Sequence, residues 1–277
     1  QGGQLFQVNT YTSGYQDTPA VAFDAAGNFL VVWYSDGSFG SDNFGGSIQA
    51  QRYDAGGVRV GNQFQVNNFT TGAQTDPVVA ADAGGTFTVV WRSIEVPELD
   101  EAWRVHARRF GTGPPQFQFE ATEGRVSLFA PVPKVAVNTD GVSFFVWNAG
   151  RRIRGRLYDP FGNPLAGEFQ VNTYTTNYQR PPAITADGAG NFVVVWPDTP
   201  LGANFGNTRG RRYDRTGTPI GDEFGVGPET NEQRAPAVAA DGAGNFIVVW
   251  ERENSEGSEN GTEIVGQLYS TLGTPLG

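Results

Sequence analysis

Two carboxylates stand just ahead of similar apolar stretches: Asp17 two residues before Pro19-Ala20-Val21-Ala22, and Asp76 one residue before Pro77-Val78-Val79-Ala80. Glycoside cleavage needs a pair of carboxyl groups, one to protonate the leaving oxygen and one to activate water or attack the sugar. The matching places later in the chain hold Arg180 and Arg234, and the Pro-Ala-Val-Ala stretches themselves contain no acid. A mouth pair at Asp17 and Asp76 is therefore weighed against two solvated loop acids, and the second expectation is preferred. Other chemistry has less to work with. His106 is the only histidine, Lys134 the only lysine, and there is no cysteine. A Ser-His-Asp or Cys-His set would rest on His106 alone, and zinc would find only carboxylates. His106 aligns with Gln49, Arg154 and Val265, which reads as an ordinary solvated strand position. By this subtraction we expect no catalytic residues, no metal and no enzyme.

Recognition has more material. Tyr34, Phe39 and Phe44, then Trp103, then Phe205 lie in segments of variable length, and Asn43-Phe44-Gly45 returns as Asn204-Phe205-Gly206. Tyr11, Tyr15, Tyr174 and Tyr178 add rings to the adjoining connections. Aromatic faces beside amide groups suit neutral polar ligands such as sugars. The expected ligand site is Tyr15, Asn43, Phe44, Tyr178, Asn204 and Phe205, and the expected partner is a glycan or a cell-surface or extracellular protein. Acidic runs (Glu95, Glu98, Asp100, Glu101; Glu251, Glu253, Glu256, Glu259, Glu263) and arginine clusters (Arg151, Arg152, Arg154, Arg156; Arg209, Arg211, Arg212) read first as mixed solvated surface. Self-association of acidic edge with basic edge is the sharper alternative.

These residues hang on a repeat. Phe6-Gln7-Val8-Asn9 returns at Phe64, in degenerate form at Phe117, at Phe169 and at Phe224, with spacings of 58, 53, 52 and 55 residues. Each unit also carries a segment like Pro19-Ala20-Val21-Ala22, a segment like Phe29-Leu30-Val31-Val32-Trp33 ending at Trp33, Trp91, Trp147, Trp196 or Trp250, and a segment ending at Tyr53, Phe110, Tyr158, Tyr213 or Tyr269. Val-Val-Val-Trp strands are β-branched and apolar on both faces, so both faces are buried. Four short strands per unit, each sheet covered by its neighbours, predict an all-β, five-bladed β-propeller of four-stranded blades. The expected blades are about 18–67, 76–120, 132–172, 181–227 and 235–271 within a single domain of residues 1–277, with residues 5–9 joining the last blade to close the ring. The five tryptophans end core runs at one register and are expected to pack between blades.

Five-residue hairpins beginning at Asp24, Asp82, Asn138, Asp187 and Asp241 join the second and third segments of each unit. Their Asp-x-x-Gly-Asn pattern has a calcium reading. With one carboxylate per hairpin the turn reading is preferred, and no cofactor is expected. A net charge of −10 argues against nucleic acid as a partner. No apolar run is long enough to span a bilayer. The chain has no Met and begins Gln1-Gly2-Gly3, which suggests removal of an export signal and a secreted or cell-surface location.

The segments Asn9-Thr10-Tyr11-Thr12, Val193-Val194-Val195-Trp196 and Gln51-Arg52-Tyr53-Asp54 resemble the repeats of large secreted bacterial proteins, found beside adhesin-like or calcium-binding regions. The resemblance implies extracellular business and carries no catalytic residue set. The overall expectation is a non-catalytic extracellular binding or adhesion module. A structural subunit of an extracellular assembly is the first alternative and a propeller glycosidase the second.

Overall fold

The computed structural model describes residues 5–37, 40, 42, 45–94, 103–111, 118–122, 130–229, 232–254 and 261–277. Among them there is no helix; the regular structure is antiparallel β in five sheets. The chain divides into two compact units, residues 1–128 and 129–277.

Unit 1 holds two sheets. The first runs β1 (Gln16–Phe23), β2 (Phe29–Ser35), β3 (Ser47–Tyr53) and β4 (Arg59–Gln65), and the second β5 (Gln74–Ala81), β6 (Phe87–Ile94), β7 (Trp103–Phe110) and β8 (Phe119–Glu120), each in plain meander order. Unit 2 holds three. The first is β9 (Lys134–Val137), β10 (Ser143–Ala149), β11 (Arg152–Tyr158) and β12 (Phe169–Gln170). In the second, β13 (Tyr178–Gln179) and β14 (Ala183–Ala186) both pair with β15 (Phe192–Thr199), followed by β16 (Asn207–Tyr213) and β17 (Pro219–Val226). Pro181 and Pro182, which cannot donate to a ladder, separate the two halves of that inner strand. The last sheet is β18 (Gln233–Ala240), β19 (Phe246–Asn254), β20 (Gly261–Tyr269) and β21 (Pro275–Leu276).

Within each unit consecutive sheets pack face to face. In unit 1, Leu30, Val32, Ile48 and Ala50 of one sheet meet Phe87, Val89, Trp91 and Phe110 of the next. Unit 2 repeats the pattern twice, Phe144 and Val146 meeting Phe192, Val194 and Trp196, and Val193 and Val195 meeting Phe246, Val248 and Trp250. Two-sided burial explains why the central strands lack polar alternation. The five repeated tryptophans are 0–4% exposed, and Trp91, Trp196 and Trp250 lie in these interfaces.

The recurring Phe-Gln-Val-Asn segment works as a bolt. Asn67 and Asn172 are buried; their Oδ1 atoms accept the Ile48 and Ile153 N–H groups, and their Nδ2 atoms donate to the Phe69 and Tyr174 carbonyls. The next residue then reaches the following sheet. The N–H groups of Thr10, Asn68 and Thr173 donate to Gln63 Oε1 (2.7 Å), Gln118 Oε1 (2.6 Å) and Glu223 Oε2 (2.8 Å). Phe6 likewise packs on Tyr53 as Phe64 packs on Phe110, with centroids 5.5 and 5.3 Å apart.

One expectation is corrected here. Residues 5–9 form no strand, and the fourth strand of the last sheet comes from Pro275–Leu276. The hairpin aspartates serve their own turns. Asp24, Asp187 and Asp241 each accept the N–H groups two and four residues on and the Asn Nδ2 of the same hairpin.

Candidate functional site

The inner strands carry an irregularity at one repeat position. In β1 the pairing runs Gln16↔Ser35 and Asp17↔Tyr34, then slips before Ala20↔Val32. The same slip follows Thr75↔Arg92 in β5 and Arg234↔Glu251 in β18. The extra residue adopts a left-handed backbone in all three sheets: Thr18 at φ 45°, Asp76 at 54° and Ala235 at 48°. For non-glycine residues such a conformation costs about 1–3 kcal/mol each, and such strain clusters at functional sites. A bulge also re-aims the side chains beside it. Register therefore places Asp17, Thr75, Arg180 and Arg234 as equivalents, with Asp76 one step further at the position of Thr18.

A glutamine anchors the start of this bend. Trp33 Nε1 donates to Gln16 Oε1 at 3.0 Å and Trp91 Nε1 to Gln74 Oε1 at 2.9 Å. The pattern Gln-x-x-Pro at Gln16, Gln74, Gln179 and Gln233 is the signal by which sequence reasoning could have found this mouth.

In unit 1 the mouth is acidic and aromatic. Asp17 lies with Asn9, Gln16, Val31 and Trp33 in the wall of a cavity of about 170 Å³. The Thr18 N–H donates to Asp17 Oδ1 at 2.6 Å. Burial, with the charges of Asp36 and Asp17, raises the Tyr34 phenol above its usual value. Asp76 accepts from Thr75 Oγ1 at 2.9 Å and pairs with Arg92 Nε at 2.6 Å, and the Arg92 guanidinium lies 4.7 Å from the Trp103 ring centre. The Asp76 carboxylate is thus held in place by the Thr75 hydroxyl and the Arg92 charge, while Asp17 borders open space.

In unit 2 the same mouth is basic and aromatic. Arg234 stacks over Phe205 at 4.5 Å and engages Glu251 through Nε at 2.6 Å. Arg151 lies over Tyr178 at 5.8 Å. Between them Tyr178 pairs with Thr199, against which Gly206 packs so closely that a Cβ there would lie 2.6 Å from the Thr199 Cα. Only glycine fits that approach. Asp198, 3% exposed, accepts from Gln179 at 2.9 Å and Asn177 at 3.3 Å. Burial raises its carboxyl above the usual range, outweighing those hydrogen bonds.

Of the expected ligand residues, Tyr178 and Phe205 come together, and Asn204 sits exposed beside Phe205. Tyr15 belongs to unit 1, its ring 79% exposed and its carbonyl accepting the Asp36 N–H. Asn43 and Phe44 lie outside the described residues. Phe205 and Tyr178 are not bare sugar platforms, because each carries a guanidinium. His106 is not solvated either: it is buried, stacked between Trp91 (6.0 Å) and Phe69 (6.2 Å). Among the described residues no group of three or more His, Cys, Asp or Glu could hold a metal ion. No helix among them is long and apolar enough to cross a membrane.

No protein-family model matches the sequence, and no curated protein matches it. Solved structures do match over nearly the whole chain. A protein of unknown function from Dyadobacter fermentans superposes with a TM-score of 0.62 at 11% identity, covering 94% of this chain and 80% of that one. A variant of the NanB sialidase from Streptococcus pneumoniae gives 0.61 at 8% identity, covering 98% of this chain and 62% of the sialidase. The α-L-arabinanase of Penicillium chrysogenum, complexed with arabinobiose, gives 0.54 at 12% identity over 91% of this chain and 81% of the enzyme. At such identities the likeness establishes the fold. It overturns the non-catalytic expectation, whose adhesive and structural variants find no support in these neighbours. That expectation asked for histidine, cysteine or strand-borne acids, whereas enzymes that act on glycans share this scaffold and glycoside cleavage needs two carboxyl groups alone.

Proposed function

We propose that the protein is a glycoside hydrolase of propeller fold. The observation that carries the reading is the superposition of nearly the whole chain on an arabinanase and a sialidase. Within unit 1 it is supported by the two acids at the strained mouth, Asp17 and Asp76, on neighbouring inner strands. Asp17 faces the cavity beside Trp33 and is free to meet a ligand. Asp76, oriented by Arg92 and Thr75, is the second carboxyl group. The glycan is the partner, and the secreted location implied by the repeat resemblance would put the protein where such polymers occur. The test is sugar release from arabinan, galactan, polygalacturonate and sialosides by wild type, Asp17→Asn and Asp76→Asn. Release abolished in both variants supports the proposal; no release from any of these substrates overturns it.

A further inference from the structure

The two bare rings expected in unit 2 prove to be covered by guanidinium groups, and this changes the ligand chemistry the mouth can take. Arg180 and Arg234 occupy one repeat position on neighbouring inner strands, where unit 1 places Asp17 and Thr75. The Arg180 backbone is fixed by its N–H bond to the Pro197 carbonyl at 3.0 Å, and its exposed side chain has no acidic partner among the described residues. Arg234 is held from below by the Phe205 face and uses only Nε on Glu251, which leaves both terminal nitrogens open. Arg151 over Tyr178 adds a third guanidinium with no acidic partner among the described residues. Among the described residues the three cations therefore face solvent with a single carboxylate, Glu251, in contact with them.

An arginine fork oriented by an aromatic ring presents parallel N–H donors that match a carboxylate. A neutral sugar would leave those donors unpaired. We propose that the unit 2 mouth binds the carboxylate of an acidic sugar, a uronate, between Arg180 and Arg234, with Tyr178 and Phe205 flanking the ring. This specificity rests on the glycan-acting reading above and names its substrate class.

The probes are trigalacturonate and galactotriose of the same linkage, which differ only in carboxylate against hydroxymethyl, with an oligoglutamate peptide as a third. Calorimetry on the full chain carrying Asp17→Asn separates binding from turnover. Trigalacturonate is expected to bind at least about 10-fold more tightly than galactotriose, with the preference falling as salt rises. Arg180→Ala with Arg234→Ala should remove that preference without lowering the melting temperature, and the paired lysine variant should restore part of it. Equal binding of the two trisaccharides, or a preference that survives the double alanine variant, overturns the inference. Oligoglutamate bound as tightly as trigalacturonate also overturns it and assigns the site to acidic peptides. Hydrolysis confined to neutral arabinan would sink this inference and leave the proposed activity standing; uronate binding without hydrolysis of any substrate would do the reverse.

Discussion

The mouths of the two units are built on the same repeat and carry opposite charge. In unit 1 two bulges present Asp17 and Asp76 with Trp33 and Trp103 nearby; in unit 2 one bulge presents Arg234 beside Phe205, and Arg180 stands between the short strand Tyr178–Gln179 and Pro181-Pro182. The glutamine at the strand start, the proline three residues on and the buried tryptophan recur in both, and the bulge recurs in three of the four strands that carry the Gln-x-x-Pro pattern. The repeat thus holds the glutamine, proline and tryptophan constant and leaves the two residues between the glutamine and the proline to vary. An exposed residue at a bulge touches little of the core, so exchanging its charge there costs the fold little.

The sharpest test of that parity is the shared core. Trp91→Ala in unit 1 and Trp196→Ala in unit 2 should each cost about 3–5 kcal/mol, read as a fall in denaturation midpoint. A loss near zero in one unit would mean that the two are not built alike. Next in size is the functional asymmetry. Asp17→Asn is expected to lower hydrolysis by about 100-fold or more while leaving thermal stability unchanged, and a parallel loss of both would make Asp17 structural.

A third test uses pH within unit 2. Burial raises Asp198, so the folded state holds its proton more tightly than the unfolded chain does. Its contribution is present below the ordinary aspartate value and is lost as pH rises through the raised one. Asp241 is opposite: the Asn245 side chain, then backbone N–H groups, hold it low, so its contribution is present above the ordinary value and is lost on acidification. Asp198→Asn should flatten the stability decline above the ordinary aspartate range, and Asp241→Asn should flatten the acid limb. Unchanged pH profiles in both variants would remove these groups from the balance. The smallest effect belongs to the surface. Arg252→Ala removes a half-exposed pair with Glu263 and should change stability by less than about 1 kcal/mol, measured by urea titration.

Much of the fold was legible because repetition multiplies weak signals. One apolar run ending in Trp is ambiguous, but five at one register specify buried central strands, and the sheets contain them where expected. The mouth was only half legible. Asp17, Asp76, Arg180 and Arg234 could be aligned by the proline that follows them, but the extra residue of the bulge, which separates Asp17 from Asp76 in register, is a backbone event with no side-chain signature. Phe205 and Tyr178 were recognised as aromatic, and their arginine covers were missed because Arg234 and Arg151 come from segments 29 and 27 residues away. His106 was misread for the same reason: its strand position looked variable, and the rings that bury it come from the adjoining connection and strand.

The bond from Thr10, Asn68 and Thr173 to the side chain of the following sheet bears on how such a molecule can grow. Its donor is a main-chain N–H, which every residue except proline possesses, and its acceptor is satisfied equally by the amide of Gln63 or Gln118 and the carboxylate of Glu223. A duplicated unit spliced in at the Asn position would find its docking partner already present on both sides. Tandem gene duplication could therefore lengthen the array one sheet at a time, while the residues at the mouth diverge independently in each copy.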